Sequence, residues 1–403
     1  FPIQMQALPI ACEFRDCIGI AQTGSGKTAA YMLPLLQYLR TLPALDNETA
    51  ADGPYSVVLA PSRELAQQIM DETSKFSKFM EHIRTVVVVG GKNAEQQAYA
   101  MRRGAEIIIA TPGRLCDALD KGYTVLNQCN YVILDEADRM IDEGFEDYVN
   151  RILQAIPNTN MKSEREDEAL KQELAAKAGH RRFRITQMFT ATMPVAVERM
   201  ARKYLRAPAY ISIGEVGSGK KDIEQRVMVI SESQKKKQLE TILADSEPPI
   251  IVFVNMKKAV DYLTKSLNDQ GYKAIALHGG KSQEAREDNL QKFKEGQYDL
   301  LIATDVAGRG IDVEGVKQVI NFDMPKNIEN YTHRIGRTGR AGMKGIATSF
   351  CTPDDADLFY DLKNFLESSK QLVPLEISKH PKSKVKPGTA DKFGPKVVYA
   401  NGF

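Results

Sequence analysis

Asp135 and Glu136 are adjacent carboxylates at the end of the apolar run Tyr131-Val132-Ile133-Leu134, and Ala137-Asp138 follow them. A buried strand ending in two carboxylates gives a divalent cation an oxygen ligand and an attacking water a base. Upstream, Ala21-Gln22-Thr23-Gly24-Ser25-Gly26-Lys27-Thr28 follows the apolar Cys17-Ile18-Gly19-Ile20 and opens a helical stretch. Strand, glycine-rich loop, helix is the order a phosphate-binding loop needs. The glycines let backbone N–H groups wrap phosphates, Lys27 would neutralise the β and γ oxygens, and the Thr28 hydroxyl would ligate Mg²⁺. Ala21 stands where the strict pattern has glycine. Asp135 would hold the metal through water, leaving Glu136 to orient or deprotonate the attacking water. The pattern predicts nucleotide hydrolysis; the plainer reading is a solvated acidic turn and a surface lysine.

The elements that must position these groups are short apolar strands between helical patterns: Val57-Leu59, Val86-Val89, Ile107-Ile109, Val132-Leu134, Met188-Phe189 and Tyr210-Ile213. Such fully apolar runs predict a parallel sheet covered on both faces. The alternation restarts with Ile250-Val254, Ala274-Leu277, Leu300-Ala303, Val319-Ile320 and Ile346-Phe350. Two α/β domains follow, over 1–213 and 223–378, with a ligand cleft expected where strand ends face each other. The stretch 214–222 contains Gly214-Glu215-Val216-Gly217-Ser218-Gly219-Lys220-Lys221, which has phosphate-loop glycine spacing but no metal-binding hydroxyl and no helix after it. It reads as a flexible linker. Residues 156–184 interrupt the first domain with a charged segment that reads as a solvated surface insertion, helical or partly disordered. The lysine-rich tail, 379–403, reads as extended.

Composition sets outer bounds. A net charge of +2 gives no global field toward nucleic acid, so any such surface is a local patch. The cysteines at 12, 17, 116, 129 and 351 lack metal-ligand spacing and read as reduced thiols in an intracellular compartment. No apolar run is long enough to span a membrane. The chain opens inside a motif, so further N-terminal sequence is expected.

The ordered blocks Phe1-Pro2-Ile3-Gln4, the phosphate loop, Pro61-Ser62-Arg63-Glu64-Leu65-Ala66, Gly90-Gly91, Thr111-Pro112-Gly113-Arg114, Asp135-Glu136-Ala137-Asp138, Thr190-Ala191-Thr192, Gln283-Glu284-Ala285-Arg286, Ala303 to Asp312, and His333-Arg334-Ile335-Gly336-Arg337-Thr338-Gly339-Arg340 are similar to those of the DEAD-box RNA helicases. The resemblance runs from Pro2 to about Leu366. It implies two tandem RecA-like domains joined by the linker, ATP as substrate with Mg²⁺, and RNA as partner of a monomeric motor. It implies that Gln4 reads the adenine edge, that Gly310 and Asp312 lie near the ribose, and that Arg337 and Arg340 reach the γ-phosphate. Asp138, Thr190, Thr192 and His333 would couple hydrolysis to domain movement. Arg63, Gly91, Thr111, Arg114, Gln283, Arg286 and Thr304 would touch the RNA backbone, which positions a strand without reading its sequence. Blocks around Arg139, Thr190, Asn255 and Gly308, with the insertion, resemble family members that act on the 5′ splice site. That likeness implies a nuclear location and spliceosomal ribonucleoprotein partners. Three rivals stay open: a family member serving another RNA process such as ribosome assembly or translation, an ATP-gated RNA clamp with negligible turnover, and a DNA helicase. In the absence of ATP and RNA the two domains are expected to sit apart or in variable orientation.

Overall fold

The fold is described here from a computed structural model, for all residues except 23, 47, 178–181, 214–222, 306–312, 314, 340–342 and 386–403. The first sheet has seven parallel strands: β1 (Cys17–Ile20), β2 (Ser56–Leu59), β3 (Thr85–Val88), β4 (Ile107–Ala110), β5 (Tyr131–Asp135), β6 (Ile185–Thr190) and β7 (Ala209–Ser212), in the order β3-β4-β2-β5-β6-β1-β7. Strands β2, β4, β5 and β6 are buried at every position, the apolar runs of the first three as a sheet covered on both faces requires, and β6 with Thr186, Gln187 and Thr190 buried among its apolar residues. One face packs Leu35, Ile109, Ile133 and Phe189; the other packs Val57, Leu134, Met140 and Met188. Truncating one such side chain, as in Leu134→Ala, costs about 2–5 kcal/mol. Gly19 is required on β1, because a Cβ there would come within 2.5 Å of the Phe189 ring.

The helices begin where the chain supplies caps. The first is α1 (Pro2–Ala11), then α2 (Lys27–Leu39), and α3 (Arg63–Phe76) starts on Ser62, whose hydroxyl accepts from Leu65 N at 3.2 Å. Next come α4 (Ala94–Arg102), capped by Asn93, α5 (Pro112–Asp120), with proline in its first turn, α6 (Ala137–Asp142) and α7 (Glu146–Ala155). The loops after β1, β4, β5 and β6 place the phosphate loop, Thr111, Glu136 and Thr192 at one edge of the sheet, the carboxyl ends of its strands.

The second sheet is also parallel, with β8 (Ile223–Val229), β9 (Ile250–Phe253), β10 (Ala274–Leu277), β11 (Leu300–Ala303), β12 (Gln318–Asn321) and β13 (Gly345–Cys351) in the order β10-β11-β9-β12-β13-β8. The expected linker, with its second glycine pattern, lies outside the described residues. No helix is long and apolar enough to cross a membrane among those described.

The insertion departs from its solvated reading. It forms α8 (Glu166–Lys177), with Ala169 fully buried, and is pinned to the domain by Lys162, which is only 4% exposed. The Lys162 ammonium lies 3.0 Å from Asp16 Oδ1 and 2.9 Å from Glu173 Oε1. Asp16 in turn accepts from Thr186 N at 3.1 Å and Arg206 N at 2.8 Å. A charged stretch can dock when a buried cation finds two carboxylates, and composition carries no trace of that match. The tail is described only to residue 385, where Lys382 pairs with Asp357 at 2.7 Å. In this structure the two domains are in contact: Arg286 pairs with Glu64 across them, and Arg63 Nη1 donates to Gln283 Oε1 at 3.4 Å.

Candidate nucleotide site and interdomain cleft

The phosphate loop turns on two left-handed glycines, Gly24 (φ 77°) and Gly26 (φ 87°). Gly26 is also a close approach, since a Cβ there would lie 2.6 Å from Gln4 Nε2 and 3.0 Å from the Phe1 ring. Gln4 Nε2 donates to the Gly26 carbonyl at 3.0 Å, so the first helix brings its amide directly against the loop. Lys27 is nearly buried, and its ammonium donates to the carbonyls of Ala21 (2.7 Å) and Gln22 (3.2 Å). Ser25 Oγ donates to Gln22 O at 2.7 Å, and Ala21 N donates to Thr190 O at 3.0 Å, tying the loop to β6. Thr28 follows Lys27 in the first turn of α2. Thr23 lies outside the described residues.

At the end of β5, Asp135 accepts from Tyr31 Oη at 2.8 Å and from Glu136 N at 2.9 Å. Burial pushes its carboxyl up to about 6, against the attraction of Lys27. Glu136 is held at φ 50°, ψ 52°, a left-handed conformation costing a non-glycine residue roughly 1–3 kcal/mol, at the point where β5 turns into α6. Burial would raise its carboxyl too, but Arg139, His333 and Arg337 outweigh burial and bring it down to about 2. A carboxylate kept ionised in a buried cleft can accept a proton or a hydrogen bond from water.

Asp138 opposes burial in the same way and is held well below the usual carboxylate range, by His333 and Thr192. Its Oδ2 accepts from Ala191 N (3.2 Å), Thr192 N (2.8 Å) and Thr192 Oγ1 (2.8 Å). Thr190 Oγ1 donates to Thr192 O at 2.7 Å and accepts from Asp138 N at 3.3 Å. From the second domain, His333 Nε2 lies 3.8 Å from Asp138 Oδ2, an ion-pair distance rather than a hydrogen bond. One turn further, buried Arg337 donates from Nε to His333 O at 3.2 Å. The structure thus gathers Lys27, Asp135, Glu136, Asp138, Thr190, Thr192, His333 and Arg337 around one cleft. Arg340, Gly310 and Asp312 lie outside the described residues.

Three residues here escaped the sequence reading. Arg139, 1% exposed, donates from Nη1 to Glu136 Oε2 at 2.6 Å, while its Nε and Nη2 have no hydrogen-bond partner among the described residues. The i, i+3 spacing of Glu136 and Arg139 at the start of α6 was a usable signal. Tyr31 orients Asp135 from one turn past Lys27, a position that periodicity assigns simply to the core. Arg334 anchors the helix Ile328–Ile335, gripping Asp305 at 2.5 and 2.7 Å and Asn255 Oδ1 at 2.7 Å.

The residues expected to touch a nucleic acid backbone divide. Gln283 Oε1 accepts from both Arg63 (3.4 Å) and Arg286 (3.2 Å), and Gly91 (φ 78°) packs so closely on the Arg63 guanidinium that a Cβ would clash. Thr111 and Arg114 lie at the start of α5, where Arg114 pairs with Asp117 at 3.9 Å, and Thr304 follows β11. Contacts described for these three stay within their own domains.

Comparison with known proteins follows the same division of the chain. The profile of the DEAD/DEAH box helicase family matches residues 1–200, and that of the helicase conserved C-terminal domain matches 234–342. The chain is 53% identical over 393 residues to the human probable ATP-dependent RNA helicase DDX23, covering 96% of this chain and 48% of that protein. It is 53% identical over 399 residues to the pre-mRNA-splicing ATP-dependent RNA helicase PRP28 of Coccidioides immitis, again 96% of this chain and 48% of the relative. The chain therefore spans about half the length of the curated relatives it matches. Among solved structures, S. cerevisiae Dbp5 bound to RNA and ADP BeF3 is similar with a TM-score of 0.74 at 28% identity, over 92% of this chain and 88% of that one. Both halves are RecA-like domains.

Proposed function

The chain belongs to the DEAD/DEAH box helicase family, and on that premise we propose that it is an RNA-dependent ATPase that closes two domains over one RNA strand and locally separates a short duplex. One observation carries the reading: the end of β5, with Asp135, Glu136 and Asp138, meets the second domain at His333, whose Nε2 lies 3.8 Å from Asp138 Oδ2. Gln4 selects adenine, the Gly24 to Thr28 loop wraps the phosphates, and Arg337 with Arg340 steadies charge on the γ-phosphate. Glu136 takes a proton from, or orients, the attacking water. Asp138 passes the state of the site to the second domain through Thr190, Thr192 and His333.

A divalent cation fits the donor set. The Thr28 hydroxyl and the Asp135 carboxylate are hard oxygen ligands, the donor type such an ion takes from a protein while water and phosphate fill its other positions. Mg²⁺ bound there would neutralise phosphate charge during transfer.

RNA runs over Arg63, Gly91, Thr111, Arg114, Gln283, Arg286 and Thr304. Their contacts are to phosphate and sugar, so the target is chosen elsewhere in the assembly. The likeness to pre-mRNA-splicing helicases supports action at the 5′ splice site, in the nucleus, with spliceosomal ribonucleoproteins as partners. Glu136→Gln tests the chemistry: ATP binding should persist while RNA-stimulated turnover falls by about 10²-fold or more. Turnover within a few-fold of wild type would reject the assignment. Depletion should stall splicing before catalytic activation; unchanged splicing with defects in ribosomal precursors would reject the splicing role.

A further inference from the structure

Where α6 meets the helix Ile328–Ile335, a cavity of about 10 Å³ lies between Arg139 of the first domain and Phe253, Asp305, Asn330 and His333 of the second. We propose, on the reading that the cleft hydrolyses ATP, that this cavity holds one ordered water and that Arg139 is the positioning residue through which closure of the second domain reaches Glu136.

The size admits a single water, which needs about 10–15 Å³ and two to four polar partners. The walls supply them. Arg139 is 1% exposed, and with Nη1 committed to Glu136 Oε2 at 2.6 Å, its Nε and Nη2 have no hydrogen-bond partner among the described residues. His333 Nε2 is a third such atom, since Asp138 Oδ2 lies too far away, at 3.8 Å, for a hydrogen bond. Native interiors rarely leave buried polar atoms unsatisfied, and a guanidinium least of all, because burying its charge without hydrogen bonds is costly. Acceptors face these groups from the second domain. Asp305 already receives Arg334 at 2.5 and 2.7 Å, but a carboxylate has room for about four donors, and the Asn330 amide offers a carbonyl oxygen.

Charge excludes an anion as the occupant. Glu136, Glu143 and Asp138 already balance the Arg139 guanidinium, and Arg334 and Arg337 on the same wall face Asp305 and Glu136. The Asp305 carboxylate is itself part of the lining and would repel a second negative charge. A neutral molecule that both donates and accepts meets every requirement.

The cavity is separate from the place of the substrate, for neither Glu136 nor any described residue of the phosphate loop lines it. Its consequence follows from which groups move together. Arg139 Nη1 orients Glu136, while its other two N–H groups find their water only when Asp305 and Asn330 are in place. The setting of Glu136 therefore depends on the second domain through one side chain, by a route that bypasses Thr190 and Thr192.

The test measures RNA-stimulated ATP hydrolysis by the 403-residue chain in two ways, as the single-turnover rate at saturating RNA and as the RNA concentration giving half that rate. Arg139→Lys keeps a cation beside Glu136 but cannot also hold the water. The half-saturating RNA concentration should rise about fivefold or more, while the saturated rate recovers part of what Arg139→Leu loses. Asn330→Leu, which fills the cavity from the second domain, should raise the half-saturating concentration by a similar factor and leave the saturated rate within about threefold. Because both changes act on one bridge, the double variant should exceed the larger single effect by no more than about twofold. Effects that multiply overturn the proposal, as does an unchanged half-saturating concentration in Arg139→Lys. If Asn330→Leu does not fold, a high-resolution crystal structure of the wild type with RNA and a non-hydrolysable ATP analogue decides. One water bonded to Arg139 Nε or Nη2 supports the proposal, and a side chain or a dry cavity there overturns it. Wild-type protein without RNA-stimulated hydrolysis rejects the ATPase reading and the bridge with it, whereas normal wild-type hydrolysis with multiplying losses rejects the bridge alone.

Discussion

Two seams join the domains, and their electrostatic balances run in opposite directions. At the Asp138 seam, Asp138 and Glu136 are buried, yet their partners overcome burial and hold both carboxyls below their ordinary range. At the Glu64 seam, the carboxylate faces Arg286 directly, yet burial wins and the Glu64 carboxyl is pushed up. The difference lies in how many groups converge. Asp138 faces His333 and also receives two N–H groups and a hydroxyl from its own domain, whereas Glu64 relies chiefly on one guanidinium that is itself nearly buried. A buried ion pair with few supporting hydrogen bonds fixes geometry more than it adds affinity. On the proposed function, the first seam acts on the substrate and the second sets register between the domains.

The largest test of that contrast is Arg337→Ala. An arginine acting across a cleft on a transferring phosphoryl group is worth roughly 10³ to 10⁵ in rate, so single-turnover hydrolysis with saturating RNA should slow by at least about 10³-fold. ATP affinity without RNA should change only a few-fold. A loss under about tenfold would remove Arg337 from the chemistry and leave the Asp138 seam structural, like its counterpart.

Arg139 comes next in size. It touches no proposed substrate group and acts through Glu136, so it is a positioning residue. Arg139→Leu leaves the Glu136 carboxylate without its closest cation, and kcat should fall by about 10²-fold while KM for ATP stays within a few-fold. Arg139→Lys restores the charge without the planar fork and should recover part of kcat. Equal losses in KM and kcat, or no recovery with lysine, would mean that Arg139 serves packing alone.

What the sequence made legible follows from range. Most strands of both sheets were visible because they are short apolar runs bounded by helical patterns, whereas β8 (Ile223–Val229) alternates polar and apolar residues and does not read as such a run; the nucleotide loop and Asp135-Glu136-Ala137-Asp138 were visible because their chemistry is contiguous. The docking of the insertion was not. Lys162 sits among charged neighbours, and its partner Asp16 precedes β1, far away in the chain, so no local pattern marks it as buried. Arg139 was half legible, through its spacing from Glu136. Arg286 shows a third case: its position suggested contact with a nucleic acid backbone, and the structure places its guanidinium on Glu64 and Gln283, a pairing between two blocks that sequence reads separately.

The smallest effect is the most discriminating for the Glu64 seam. If burial outweighs Arg286, then Glu64→Gln removes a charge whose desolvation already opposed joining the domains, while the glutamine carbonyl and Gln283 Oε1 remain as acceptors for the Arg286 guanidinium, and RNA affinity should shift by no more than about threefold. The pH dependence gives the sign. A carboxyl whose value is raised in the joined state is penalised while ionised, and that penalty is relieved as pH falls through the raised value toward the ordinary one. Relative to Glu64→Gln, wild-type RNA affinity should therefore rise slightly from neutral pH toward pH of about 5, whereas the depressed carboxyl of Asp138 would contribute the opposite slope only at more acid pH. Fluorescence titrations of a labelled single strand against both proteins across that range measure the difference. A wild-type affinity that falls relative to the glutamine variant as pH drops would show that Arg286 overcomes burial after all, and that both seams hold by the same balance.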